Sequence, residues 1–215
     1  MRAAHRVVLA LVLLAATGLF AQQTSDSSQS LSDSDLLEKS REAGLLTDWH
    51  MDGHFGHHDS QFSHSYAPEK VATRSGAHHL EQRYELVFPE GVFALPKELA
   101  GERGVFYAVS STYLGSSGEW NVYLDSRADA TVFVDGKRAV TSRPNAEGVM
   151  RETLHLESGY HSVMVKFTAQ GAPFSVAILP PNSGSRRKNN TPYLQASPAS
   201  EDMQAIVAGE SAPGF

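Results

Sequence analysis

The sequence predicts an all-β domain, an antiparallel β-sandwich of jelly-roll type with a short N-terminal helix and disordered tails. Three observations predict it. Strand-like runs follow one another from Gly118 to Phe167: GEWNVYLDSRAD, ATVFVDGKRAV and LHLESGYHSVMVKF. Asp135-Gly136 interrupts the middle run between β-branched residues, and both positions tolerate the positive φ of a two-residue hairpin turn. About seven such short runs, each with one polar face, are separated by Gly, Pro and Asp turns, the pattern of packed antiparallel sheets.

The first residues stand apart from the fold. Arg2 and Arg6 precede an apolar run, Val7–Phe20, that ends at Ala21 before Gln22-Gln23. A basic start, a short aliphatic run and a small exit residue predict a signal peptide over 1–21. A membrane span needs roughly 20 apolar residues; an uncleaved anchor is the alternative. Cleavage after Ala21 leaves 194 of the 215 residues and takes the net charge from −6 to −8. Such an acidic chain is a poor partner for nucleic acid or anionic lipid. No second apolar run is long enough to span a membrane, and the expected location is periplasmic or secreted. The chain has no cysteine, so neither a disulfide framework nor a lipid-modified cysteine supports it.

Residues 22–45 read as a Ser-rich linker leading into a short helix. QQTSDSSQSLSDSD has a single large apolar residue, Leu31, too little burial to offset ordering. Asp35 can cap a helix carrying Leu36 and Leu37, which Gly44 interrupts. The sandwich is expected over 46–181. Trp49 and Phe55 pin a solvated lead-in loop to its edge, and Arg83–Phe88 and Val92–Leu95 are short strands ended by Pro89 and Pro96. In Gly104–Gly115, Val105, Tyr107 and Val109 share one face and Phe106 and Ala108 the other. Trp120, Val122 and Leu124 face the core, opposite Asn121, Tyr123 and Asp125. Glu157-Ser158-Gly159-Tyr160 turns Thr153–Leu156 back onto a strand in which Val163, Val165 and Phe167 alternate with Ser162, Met164 and Lys166. Phe174–Leu179 is the last strand, ended by Pro180-Pro181, and 182–215 reads as a disordered tail.

Little in the chain points to catalysis. Ser110, Ser111, Ser116 and Ser117 lie near strand ends without a Gly-x-Ser-x-Gly elbow, and no Gly-rich phosphate loop occurs. His155 and His161 flank a hairpin and read as half-exposed strand residues. The conspicuous cluster is His50, His54, His57, His58 and His64, with His78-His79 beyond. Neutral imidazoles at such spacings can meet on a divalent metal such as Zn²⁺, so His54, His57 and His58 are candidate ligands, with Asp52 or Asp59 adding an oxygen. A solvated loop explains the same residues. For carbohydrate, Tyr123 flanked by Asn121 and Asp125 places one aromatic between groups able to hydrogen-bond hydroxyls. Tyr107, Tyr113 and Phe133 read as core or edge residues.

The succession W-x-V-Y-L-D-S-x-A-D-A-x-V-F-V-D-G (Trp120–Gly136) and L-x-x-G-x-H-x-V-x-V-K (Leu156–Lys166) resembles the protective-antigen-type β-sandwich and galactose-binding-like jelly rolls. Trp49 to Pro181 is similar to the sandwich module that precedes tetratricopeptide-repeat arrays in exported bacterial proteins, with Trp49, Gly53 and Phe55 matching its opening motif. The resemblance implies a binding, adhesion or spacer role. Calcium-dependent sugar binding in the first family uses adjacent aspartates, and this chain has no Asp-Asp pair. The expectation is therefore a non-enzymatic exported module without cofactor, binding polysaccharide or another envelope protein. A metal-binding envelope protein is the alternative.

Overall fold

A computed structural model describes residues 32–75, 84–143 and 149–181. The predicted signal peptide, most of the linker, His78-His79 and the C-terminal tail lie outside the described residues. Helix α1 (Asp33–Glu42) is capped by Ser32, whose Oγ accepts the Asp35 N–H at 3.3 Å, so the cap lies three residues before the expected one. Gly44 does more than interrupt it. At φ +85° it lets the Leu45 N–H donate to the Ser40 carbonyl at 3.0 Å, closing the helix. A Cβ there would collide with Leu179 and the Ile178 carbonyl. The chain so turned pairs with the last strand, the Leu46 N–H donating to Val176 O at 3.0 Å and the Ile178 N–H to Gly44 O at 3.1 Å.

Nine strands follow among the described residues: β1 (Asp48–Phe55), β2 (Tyr84–Val87), β3 (Val105–Leu114), β4 (Gly118–Ser126), β5 (Ala130–Val134), β6 (Lys137–Ser142), β7 (Met150–Leu156), β8 (Gly159–Thr168) and β9 (Phe174–Leu179). They form an antiparallel sheet of six in the order β2-β1-β3-β8-β5-β6 and one of three in the order β7-β4-β9. The predicted all-β sandwich is what the chain forms. Between the sheets, Phe106, Ala108, Val163, Val165 and Phe167 of the larger meet Val122, Leu124, Val176 and Ile178 of the smaller. The alternation read from β3, β4 and β8 thus places the core correctly. Phe93 stacks on Phe174 with ring centres 4.6 Å apart, and Trp49 meets both edge-on. Asp135 (φ 48°) and Gly136 (φ 74°) both adopt the left-handed conformation expected of their hairpin.

Three local expectations change. The Trp49–Phe55 segment is strand rather than loop: β1 lies between β2 and β3, with Trp49 and Met51 in the core and His50 and Asp52 facing outward. Val92–Leu95 is not a strand; Phe93 alone makes a bridge to Phe174. A helix absent from the sequence reading, α2 (Ala67–Ser75), follows a 3-10 turn at Asp59–Ser63. Together these cover the part of the outer face of the larger sheet where Val105, Tyr107, Phe133 and Met164 pack with Phe62, Tyr66 and Ala72.

An ion pair fastens this cover. Lys166, 5% exposed on β8, donates to Glu69 Oε2 of α2 at 2.9 Å and to the His64 carbonyl at 2.7 Å. Its ammonium lies 5.2 Å from the centre of the Phe62 ring. Tyr107 donates its hydroxyl to the same Glu69 oxygen at 3.2 Å. Burial, and then the Glu69 charge, push the phenol far above its ordinary pKa, which keeps Tyr107 a donor.

A second polar node joins two turns. His161, expected to be half exposed, is buried, with Nδ1 2.7 Å from Asp135 Oδ2 and Nε2 2.7 Å from the Glu157 carbonyl. Both partners are acceptors when Asp135 is ionised, so the ring satisfies both only as the doubly protonated cation. Burial opposes that charge, but the hydrogen bonds to Asp135 and Glu157 outweigh it and raise the pKa of His161.

Replacing Lys166 with Met leaves the Glu69 carboxylate buried without its cation and is expected to cost about 3–5 kcal/mol in chemical denaturation. The double variant Lys166→Met/Glu69→Leu is expected to recover most of that loss, and equal losses in the two would contradict the pairing. For His161, a folded pKa above the unfolded value means its stabilisation is complete below about pH 6.5 and is lost as pH rises through the folded pKa. The melting temperature is expected to fall as pH rises above about pH 6.5, by less in His161→Gln. Identical pH profiles for variant and wild type would refute the clamp.

Candidate functional site

The structure does not bring the predicted metal ligands together. His54 approaches Glu102, with Nδ1 3.5 Å from Oε2, and its ring centre is 6.3 Å from that of His57. His57 and His58 precede the 3-10 turn, where their N–H groups donate to Gln61 Oε1 at 2.8 and 3.2 Å. Among the described residues, no group of three or more His, Asp or Glu converges on a point where an ion could sit. His50 faces out from β1 toward Glu85 on β2, 4.0 Å away, separated from the others by the course of the strand.

Asn121, Tyr123 and Asp125 lie on the face of β4 away from the core, as the alternation requires. That face is not open at Asn121 and Tyr123, which are 4% and 7% exposed. Asn121 Nδ2 donates to the Tyr123 hydroxyl at 3.1 Å, and the Thr153 hydroxyl donates to Asn121 Oδ1 at 2.7 Å. The two residues form a closed hydrogen-bond chain along β4 and across to β7. Asp125 is half-buried beyond them.

The aromatic surface lies on the other sheet. Tyr113 of β3 and Tyr160 of β8 are direct cross-strand partners, 63% and 82% exposed, with ring centres 5.0 Å apart and planes at 62°. Tyr113 shares its face with Tyr107, six residues earlier on β3. Tyr107 sits under the cover and Tyr113 beyond it, at about 20 Å along the strand. Ser111 and Ser162 form the neighbouring cross-strand pair on the same face. The edge-to-face geometry suits the quadrupoles of the two rings and leaves aromatic faces turned to solvent. Two such rings side by side are an exposed apolar patch of the kind that marks interaction surfaces.

Polar groups stand beside this pair. A cavity of about 170 Å³ is lined by Tyr113, Ser111 and Thr112 of β3 and by Arg41, Thr47 and Asp48. Arg41 and Asp48 form a bidentate pair: Nη2 donates to Oδ1 and Oδ2 at 2.7 Å each, and Nε to Oδ2 at 3.2 Å. The Thr47 hydroxyl donates to Asp48 Oδ2 at 2.8 Å. Burial tends to raise the Asp48 pKa, but hydrogen bonds from Arg41 and Thr47 more than offset this and hold the carboxyl below its usual range. The local fold explains the placement, since α1 ends where Gly44 reverses the chain and β1 begins at Asp48. The arrangement offers a stacking surface with a fixed donor and acceptor pair at its side. Sequence reasoning missed both tyrosines because alternation gives the face of a residue and not what covers that face.

No family model matches the chain, and no curated protein matches it in sequence. Solved structures similar to it include β-glucosidase from Kluyveromyces marxianus in complex with glucose, at 8% identity and TM-score 0.43, covering 73% of this chain and 19% of that one. A β-glucuronidase from an uncultured Clostridium sp. is similar at 11% identity and TM-score 0.41, over 57% of this chain and 21% of that one. A GH2 β-galacturonidase from Eisenbergiella tayi bound to glycerol is similar at 14% identity and TM-score 0.38, over 64% of this chain and 23% of that one. The chain therefore spans about a fifth of the length of these enzymes, and similarities at this level carry no argument about activity or substrate.

Proposed function

We propose that this chain is an exported, non-catalytic β-sandwich module that binds polysaccharide through the open part of its larger sheet. The observation that carries the reading is the Tyr113–Tyr160 pair, two adjacent tyrosines left largely exposed on paired strands of the larger sheet. The C–H faces of a pyranose ring carry slight positive charge and pack against the negative face of an aromatic ring. Hydroxyls at the ring edge need donors and acceptors at fixed positions, and the Arg41–Asp48 pair with Ser111 supplies both beside Tyr113. A preorganised sheet surface loses little entropy when it binds, which suits a repetitive, extended ligand.

The composition of the site supports binding over catalysis. Asp48 is held as an anion by a bidentate arginine, which suits an acceptor and not a proton donor. Export is supported by the basic start and the apolar run of Val7–Phe20. No helix among the described residues is long and apolar enough to cross a membrane.

Affinity electrophoresis through gels containing neutral polysaccharides tests the reading. Wild type is expected to be retarded by at least one of them, and Tyr160→Ala to lose about tenfold in affinity, on the order of 1.4 kcal/mol. The melting temperature of Tyr160→Ala is expected to stay close to wild type, since exposed substitutions change stability by about 0.5 kcal/mol or less. Equal retardation of wild type and Tyr160→Ala would contradict the proposal. Capture of an envelope protein by the same tyrosines, with no polysaccharide retained, would replace it with a protein-docking role.

A further inference from the structure

A second concave site lies on the outer face of the same sheet, on the far side of the 3-10 turn that carries Phe62. It is a groove of about 420 Å³, within the usual range of small-ligand sites. Its floor is a row across three strands: Lys166 of β8 pairs with Thr131 of β5, which pairs with Thr141 of β6. The Thr131 and Thr141 hydroxyls are 3.2 Å apart. Phe62 and Ser63 form one wall, and Arg138 and Arg143 line the opposite side.

A β-bulge produces this composition. Thr131 opposes Thr141 and Phe133 opposes Arg138, so two residues on β5 span three on β6. Residues three apart on a regular strand face opposite ways. Because of the extra residue, Arg138 and Thr141 both face the groove, while Val140 between them is in the core. Bulges of this kind re-aim side chains and are frequent beside binding sites.

The lining carries three cations, Arg138, Arg143 and Lys166, against one carboxylate, Asp129. Lys166 is engaged by Glu69 and the His64 carbonyl. Arg138 and Arg143 are exposed, and among the described residues neither makes an ion pair. Burial, the larger influence on Asp129, disfavours its charge, and Arg143 favours it. The groove thus presents two guanidinium forks that make no ion pair among the described residues, with Asp129 near Arg143, next to the exposed Thr141 and the half-buried Phe62.

We propose that this groove binds the carboxylate-bearing ring of an acidic saccharide. Guanidinium groups take a carboxylate by paired N–H donors, a geometry an ammonium cannot reproduce. The exposed Thr141 hydroxyl meets a ring hydroxyl, and the half-buried Phe62 side chain meets the C–H face. A bare inorganic anion would fill only a small part of 420 Å³. This deepens the polysaccharide reading, on which it rests, by naming an acidic residue as part of the ligand, although the groove uses none of the residues around Tyr113 and Tyr160.

Isothermal titration of the full chain with an oligogalacturonate, and with a neutral galacto-oligosaccharide of equal length, tests the proposal. Wild type is expected to bind the acidic oligomer, more weakly as salt rises. R138Q/R143Q is expected to weaken that binding at least tenfold, while K137Q, which removes an exposed charge at the start of β6, leaves it unchanged. Absence of acidic-oligomer binding in wild type, or full affinity in R138Q/R143Q, would overturn the assignment. So would an equal loss in K137Q, or competition by sulfate at the concentration of the oligomer, since either reports general charge attraction. Retention by neutral polysaccharide, measured in parallel, reads the tyrosine pair. Its absence in wild type would count against the tyrosine surface alone, and a loss confined to the acidic ligand in R138Q/R143Q identifies the groove.

Discussion

A lysine ammonium buried on the outer face of a sheet has to be neutralised where it sits, and the residue that neutralises Lys166 comes from a helix, not from the sheet. Glu69 reaches it from α2 at 2.9 Å, and Tyr107 donates to the same carboxylate from the next strand. This contact decides what the larger sheet shows to solvent. Where the covering segment is fastened, Val105, Tyr107, Phe133 and Met164 are buried. Beyond it, Tyr113 and Tyr160 are exposed, and at its other flank Phe62 becomes a groove wall. A hydrophobic pair in place of Lys166 and Glu69 would hold the segment nearly as well, since a buried ion pair adds little net stability. It would not place a cation at the floor of the groove.

The two concave regions of this face share a construction. Each couples aromatic side chains to charged groups held by the backbone of the sandwich. In one, Arg41 and Asp48 are locked to each other beside Tyr113, offering fixed polar atoms with no net charge. In the other, Arg138 and Arg143 stand without ion-pair partners among the described residues, offering net positive charge. Neutral and acidic saccharides differ in this property. A ligand with both kinds of unit could engage both regions, whereas the closed Asn121–Tyr123 chain on the smaller sheet has already satisfied its polar atoms internally.

How much of this was legible in the sequence follows from the range of each interaction. The Asp135-Gly136 turn was readable because positive φ is a property of two residues. The inward faces of β3, β4 and β8 were readable because alternation is a property of one strand. β1 was misread as a loop because its His, Asp and Gly residues obscure the alternation of Trp49 and Met51 toward the core. α2 carried a usable signal, Pro68 in its first turn with Glu69 behind it, but nine residues gave a weak apolar pattern. Exposure was not readable at all. Tyr107 and Tyr113 occupy equivalent faces of one strand, and only the end of a segment folded back from forty residues earlier separates a buried tyrosine from an exposed one. The bulge that turns Arg138 toward the groove depends on a pairing register and leaves no mark in the run KRAVTS.

Hydrogen exchange with and without saturating polysaccharide tests most directly the claim that the larger sheet is the binding face. The account predicts slowed exchange in peptides covering Ser110–Leu114 of β3 and Gly159–Ser162 of β8, with β4, β7 and β9 unchanged. Protection confined to β4, β7 and β9, or no polysaccharide-dependent change in any peptide, would contradict it.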